Sequence, residues 1–234
     1  MLPSEISHFL SLTPTQINNS YYPSIPGIID RNQERNEDHR MQREIFDLLA
    51  EDRFSKSSWS SYAKNTKKER LQEFFTEVRR IMNLSMIENK INYEKLQDKI
   101  GSITYGLYSS DIVDGKTCYR MTINDMLFDY GDNDISYETF VTIAHECRHA
   151  YQNEVAFEMG KKHVVSSQTK YIWKNNYDNA NYKQPSDVFL AYIAQPIEYD
   201  AFMFERNYNP TRDVWPEYIG SWAEELYKIL RFQL

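Results

Sequence analysis

Apolar side chains recur along this chain more often at the spacing of an amphipathic helix than at the spacing of a strand. One group lies within 45–49 and a second runs through 71–82. Residues three and four positions apart share one face of a helix, so each group predicts a helix with one buried side. The first helix is expected to begin near residue 38 and to end near residue 53.

Turn and cap signals predict the rest of the first hundred residues. Four prolines fall within 1–36, which is therefore expected to be an irregular lead-in with short helical turns at most. Asn92 is placed to cap a further helix over 93–100. Packing is the role expected for this front section, because it holds no visible catalytic group of residues.

The period of the pattern changes to two after residue 100, and this change predicts strands. Apolar and aromatic residues dominate 103–108 and 119–127, and Asp114 with Gly115 between them is a good turn signal. An antiparallel hairpin is therefore expected, and its free edge could hold an extended peptide by strand pairing.

A helical pattern returns over 136–162, where Ser136 is placed to cap a helix and Gly160 to end it. The expected fold class is α+β, mostly helical, with a small antiparallel sheet next to this helix. A helical section over 1–100 and a second section over 101–234 are expected, with one compact unit as the alternative.

The segment 136–162 also carries the residues that indicate chemistry. His145, Glu146 and His149 stand in the pattern H-E-x-x-H. Residues four apart lie one turn above each other on a helix, so both imidazoles can bind one Zn²⁺. Glu146 lies about 100° round the helix, where it can act as a base on a water. The alternative is a buried helix whose two histidines only satisfy hydrogen bonds in the core.

Composition narrows the function classes. The net charge of −7 argues against a nucleic-acid partner. No apolar run approaches the ~20 residues of a membrane span, and the N-terminus lacks a secretory signal pattern, so a cytoplasmic location is expected, with signal-independent export left open. Cys118 and Cys147 do not form a disulfide framework, and Cys147 is expected to be a small buried residue.

A catalytic zinc needs a third protein ligand, and the segment Gln-Pro-Ile-Glu-Tyr-Asp, 195–200, offers candidates. Pro196 suits the first position of a helix, and Glu198 would then lie near the N-terminal end of that helix, where it can face the histidine pair. One more helix is expected over about 215–230.

Together with H-E-x-x-H, this second helix resembles the glutamate-zincin branch of the zincin metallopeptidases. The similarity covers about 100–208 and extends to small phage- and toxin-associated zincin domains. It implies Glu198 as the third Zn²⁺ ligand beside His145 and His149. The chain departs from many relatives at Phe202, where they have an aspartate that orients a histidine. Asp200 is left as a substitute for that aspartate, or as the ligand itself.

The resemblance implies a zinc-dependent metallopeptidase that hydrolyses peptide bonds with a metal-activated water and Glu146 as general base. Its expected partner is a peptide or protein substrate, and an inhibitor or partner protein at the N-terminal helices is left open. A tyrosine or His163 is the candidate for stabilising the oxyanion, although His163 is otherwise expected to be solvent-exposed. Two alternatives remain: an inactive zincin-like binding or scaffold protein, and a secreted effector or toxin protease with one dedicated target.

Overall fold

The structure, a computed structural model, describes residues 31–96, 104–129, 132–177, 182, 192 and 195–208. Within them the helices are α1 (Arg31–Leu49), α2 (Lys56–Ser61), α3 (Lys64–Ile81), α4 (Asn133–Tyr137), α5 (Thr139–Ala156), α6 (Ser167–Tyr177) and α7 (Pro196–Tyr208). The strands are β1 (Ile87–Glu94), β2 (Gly106–Val113) and β3 (Lys116–Asn124), and short 3₁₀ helices span Asp52–Phe54 and Asp125–Phe128. The helix expected over 215–230 lies outside the described residues.

The mostly helical α+β fold class is confirmed. No helix among the described residues has the length and hydropathy that crossing a membrane requires.

The helix α1 begins at Arg31, earlier than the sequence pattern indicates. The lead-in was expected to continue to residue 36, but no proline or glycine interrupts the polar run 31–40. Arg40 forms ion pairs of 2.6 Å with both Glu37 and Glu44, at the spacings that link neighbouring turns of a helix. The charged run therefore belongs to the helix, and the second half of α1 buries one face through Met41, Ile45 and Leu48.

The sheet has the strand order β1–β3–β2. The predicted hairpin is confirmed: β2 and β3 pair antiparallel, and Asp114 and Gly115 form its turn with positive φ angles of 52° and 74°. The third strand was not expected. β1 pairs parallel with β3, with Ile91 opposite Met121, so the sheet is mixed.

The helix predicted over 93–100 is wrong over its described residues: 93 and 94 belong to β1, and 95 and 96 are not helical. The side chain of Tyr93 packs edge-on against Phe128, and its hydroxyl donates to the backbone oxygen of Lys68 on α3. These long-range contacts outweigh the local preference of Asn92 for a helix cap. Residues 97–100 lie outside the described residues.

The helix α5 runs through the middle of the core, and sixteen of its eighteen residues are buried. Its Phe140 ring meets the rings of Phe54, Trp59 and Phe74, which come from the elements before the sheet, at 4.9–5.7 Å between centroids. One hydrophobic cluster therefore contains residues from both sides of residue 100. Polar side chains on a helix buried to this extent need partners inside the protein.

Both predicted ends of α5 are wrong. Ser136 lies in the short helix α4, which Asp132 caps, and the Ser136 hydroxyl accepts a hydrogen bond from the Trp59 indole. At the other end, α5 stops at Ala156, four residues before Gly160. The amide of Met159 donates to the oxygen of Glu154, which closes the last turn without a glycine.

Glu154 links the end of α5 to the start of β1. Its carboxylate accepts hydrogen bonds from the amides of Ser85 and Met86 at 2.8 and 2.7 Å, and lies 3.2 Å from Nε2 of His163. The His163 side chain is only 5 % exposed and packs against the ring of Tyr151. The expectation that His163 is solvent-exposed is therefore wrong, because it pairs with a buried acid.

We expect Glu154→Gln to lower the free energy of unfolding by about 1–3 kcal/mol near neutral pH, because it weakens these charge-assisted hydrogen bonds. Burial acts to raise the pKa of Glu154, but the contacts with His163, Met86 and Ser85 bring it below the ordinary value of 4.5. A carboxyl with a lowered pKa stabilises the fold above its unfolded pKa, and this stabilisation is lost as the pH falls through the folded pKa. Urea unfolding at pH 7 and at pH 3 measures it: the difference in unfolding free energy between the wild type and Glu154→Gln should be larger at pH 7 than at pH 3, and an equal difference at both values would contradict the assignment.

Candidate metal centre

Two helices bring the candidate ligands together. His145 and His149 lie one turn apart on α5, and Glu198 lies in the first turn of α7, which begins at Pro196 as predicted. The Nε2 atoms of the two histidines are 3.2 Å apart. Oε2 of Glu198 lies 3.7 Å from Nε2 of His145 and 3.4 Å from Nε2 of His149. All three residues are buried.

These separations fit a small metal ion. In a tetrahedral zinc site with bonds of about 2.0–2.1 Å, neighbouring ligand atoms are about 3.3 Å apart. The three distances between the ligand atoms, 3.2, 3.4 and 3.7 Å, lie close to that value. Two nitrogens and one carboxylate oxygen are also a donor set that suits Zn²⁺.

The outer nitrogens of both histidines are engaged, which directs the inner nitrogens into the centre. Nδ1 of His145 lies 3.1 Å from Oε2 of Glu205, and Nδ1 of His149 lies 2.9 Å from Oε1 of Gln152. The Gln152 amide nitrogen donates to the oxygens of Ile197 and Asp200, so the oxygen of that amide must face His149. Both Nδ1 atoms are therefore donors. A neutral imidazole with hydrogen on Nδ1 has its lone pair on Nε2, so both Nε2 lone pairs face the centre.

Three acceptor atoms then converge without a donor between them. The two Nε2 atoms face Oε2 of Glu198, which is buried and accepts no hydrogen bond from the described residues. Oε1 of the same carboxylate accepts a hydrogen bond from the Tyr182 hydroxyl at 3.1 Å. A buried arrangement of this kind needs a positive charge at its middle, either a proton on an imidazole or a metal cation.

The surrounding carboxylates favour that positive charge. Burial acts to lower the pKa of His145, but Glu198 and Glu205 outweigh it and raise the pKa to about 10. The pKa of His149 is also raised, because the charge of Glu198 outweighs burial. Burial acts to raise the pKa of Glu198, yet the two histidines hold it well below its ordinary range. The site is thus electrostatically suited to a cation.

Glu146 lies beside the strand β2. Its Oε2 accepts a hydrogen bond of 2.9 Å from the backbone amide of Tyr108. Gly106 allows β2 to approach α5 closely. A Cβ at that position would lie 2.7 Å from Cγ2 of Thr142 on α5 and 3.2 Å from the backbone oxygen of Thr122. The role of Glu146 as a base stays a prediction.

Three other candidates are placed away from the centre. The carboxylate of Asp200 contacts Arg148 and Gln152, so it reaches His149 only through the Gln152 amide. His163 pairs with Glu154, as described above. Cys147 is fully buried, as predicted.

Phe202 packs its ring 4.6 Å from that of His145, which makes it an apolar wall of the site.

The sequence reasoning missed Gln152 and Glu205, the partners of the histidine Nδ1 atoms. Their separation along the sequence from the candidate ligands could have identified both residues. Gln152 lies three residues after His149, and Glu205 lies seven residues, or two turns, after Glu198, so each shares a helix face with a candidate ligand. Neither residue belongs to a motif of its own, and only the packing of α5 on α7 brings Glu205 to His145.

Comparison with known proteins adds no relative: no family model matches the chain, and neither the curated proteins nor the solved structures contain a match. The zincin assignment therefore stays a prediction, and the residues described above are its support.

Proposed function

We propose that the protein is a zinc-dependent metallopeptidase of glutamate-zincin type. The observation that carries this proposal is the convergence of Nε2 of His145, Nε2 of His149 and an otherwise unpartnered oxygen of Glu198 at the spacing of zinc ligands. Glu146 lies on the same helix, and its carboxylate has no part in the ligand group. A purely structural zinc site has four protein ligands and needs no base, whereas a three-ligand site leaves one position open for chemistry.

Each residue of the site has a separate role in this reaction. His145, His149 and Glu198 would hold the ion, which when bound supplies a Lewis acid that activates water and polarises the scissile carbonyl. Glu146 takes a proton from the attacking water and passes it to the leaving amine. The Tyr108 amide holds one oxygen of Glu146 in place and leaves the other free to accept that proton. Tyr182, 3.1 Å from Glu198, orients the carboxylate ligand.

The strand β2 is suited to hold the peptide. It is an edge of the sheet formed by the described residues. In an antiparallel strand, alternate residues turn their backbone N–H and C=O groups to the same side. Because the Tyr108 amide reaches Glu146, the residues that share its side, such as Ser110, turn away from β3. An extended substrate can therefore pair along β2 next to the base.

Metal content tests this proposal. We expect elemental mass spectrometry to find about one zinc per chain in protein purified without a metal-affinity tag. His149→Ala and Glu198→Gln should each lose it, and their zinc affinity should fall by more than the about 10–100-fold that is typical for an outer-shell partner.

The matched control is His39→Ala, which removes an exposed histidine on α1 and should keep the zinc. No zinc in the wild type, even after zinc is added back, would overturn the proposal and would favour a zincin-like scaffold without a metal.

A further inference from the structure

Arg148 is a buried cation inside the H-E-x-x-H segment. Its side chain is 1 % exposed, and its guanidinium is held between two carboxylates. Nη1 and Nη2 contact the two oxygens of Asp38 at 2.7 and 3.2 Å, and Nε and Nη2 contact the two oxygens of Asp200 at 2.7 and 3.1 Å. The rings of Tyr151, Trp173 and Phe204 lie 4.6–5.3 Å from the guanidinium carbon and exclude water.

This cluster connects to the candidate metal centre through one amide. Oδ2 of Asp200 accepts from Nε of Arg148 and also from Nε2 of Gln152, each at 2.7 Å. The other hydrogen of the Gln152 amide goes to the oxygen of Ile197. The orientation of Gln152 is therefore determined by acceptors on α7, and that orientation places an acceptor at Nδ1 of His149.

We propose that Asp38 and Arg148 are positioning residues for His149, acting through Asp200 and Gln152. This inference rests on the proposed metal centre, and it adds α1 to the parts that build it. Asp38 lies 110 residues before Arg148 and touches none of the three candidate ligands. Its effect is indirect: it occupies two N–H groups of Arg148, so that Asp200 keeps an oxygen available for Gln152.

Loss of the Asp38 charge should disturb this balance. Arg148 is buried and must keep its donors satisfied. When Asp38 no longer accepts two of them strongly, the guanidinium competes with Gln152 for the oxygens of Asp200. The Gln152 amide is then free to turn, and His149 loses the acceptor that fixes hydrogen on Nδ1 and the lone pair on Nε2.

The test compares Asp38→Asn with Glu37→Gln, a matched change on the same helix whose partner, Arg40, has no link to the centre. Zinc affinity is measured by competition with a chromophoric chelator. We expect Asp38→Asn to weaken zinc binding about tenfold and Glu37→Gln to leave it unchanged. Equal affinity of Asp38→Asn and the wild type would overturn the inference.

A second readout does not depend on metal. The ¹⁵N shifts of the His149 ring in metal-free protein report which nitrogen carries the hydrogen. We expect hydrogen to stay on Nδ1 of His149 in the wild type, and a mixture of ring forms with and without that hydrogen in Asp38→Asn and in Arg148→Lys, which keeps the buried charge but loses the planar fork. An unchanged His149 signal in both variants would refute the inference even in a protein that binds no zinc, whereas absence of zinc with altered ring shifts would overturn only the proposed function.

A double-mutant cycle separates positioning from general loss of stability. Gln152→Met removes the amide that carries the effect. If Asp38 acts through Gln152, adding Asp38→Asn to Gln152→Met should cost little further zinc affinity. Additive losses would show that Asp38 acts by another route and would overturn the inference.

Discussion

Glu146→Gln should reduce peptide hydrolysis by about 10²–10⁴-fold while zinc content stays at the wild-type level. The amide has nearly the shape of the carboxylate and can still accept the hydrogen bond from Tyr108, so the strand and the helix keep their places. What it cannot do is take a proton from water at neutral pH. Steady-state cleavage of a peptide library, with elemental analysis of the same preparations, measures both quantities.

The matched control is Glu158→Gln, which changes an exposed acid just beyond the same helix and should leave hydrolysis unaltered. Hydrolysis at the wild-type rate in Glu146→Gln would show that another group acts as the base. Loss of zinc together with loss of activity would instead show that Glu146 belongs to the ligand group.

Arg148→Met should lower the free energy of unfolding by about 3–5 kcal/mol. The methionine fills much of the space between the surrounding rings, but it leaves Asp38 and Asp200 facing each other without a cation. Burial already acts to raise the pKa of Asp38 above its ordinary value, and the charge of Asp200 acts in the same direction. Urea unfolding followed by circular dichroism measures this decrease in the free energy of unfolding.

Two comparisons test the cause of that loss. Arg40→Met, which removes an arginine from more exposed ion pairs on α1, should cost no more than about 1 kcal/mol. The double variant Arg148→Met with Asp38→Asn should recover part of the stability, because one of the two unpaired charges is gone. A double variant less stable than Arg148→Met alone would contradict the charge argument.

The sequence predicts best where local chemistry and tertiary structure agree. Asp114 and Gly115 adopt positive φ in the hairpin turn, which aspartate and glycine tolerate better than most residues. The apolar spacing over 71–82 likewise found α3, because that helix buries one side and exposes the other. His145 and His149 share a face by helix geometry alone, and the pattern needed no tertiary information to place them together.

Elsewhere tertiary contacts decide, and they are not visible in local sequence. Asn92 has the chemistry of a cap, but β3 offers a backbone partner and the segment becomes a strand. Ser136 has the chemistry of a cap too, but its hydroxyl accepts from Trp59, 77 residues earlier. The choice between Glu198 and Asp200 as the residue facing the histidines depends on Arg148, whose guanidinium engages Asp200. The sequence alone does not predict that Arg148 pairs with Asp200.

The parallel pairing of β1 with β3 also sets an order of events during translation. The partners Val113 and Lys116 are three residues apart, so the hairpin can close within microseconds of leaving the ribosome. Ile91 pairs with Met121, which is synthesised thirty residues later. At typical elongation rates this delay is roughly 2–6 s. During that interval α3, the helix synthesised just before β1, is available to cover Ile87 and Ile91.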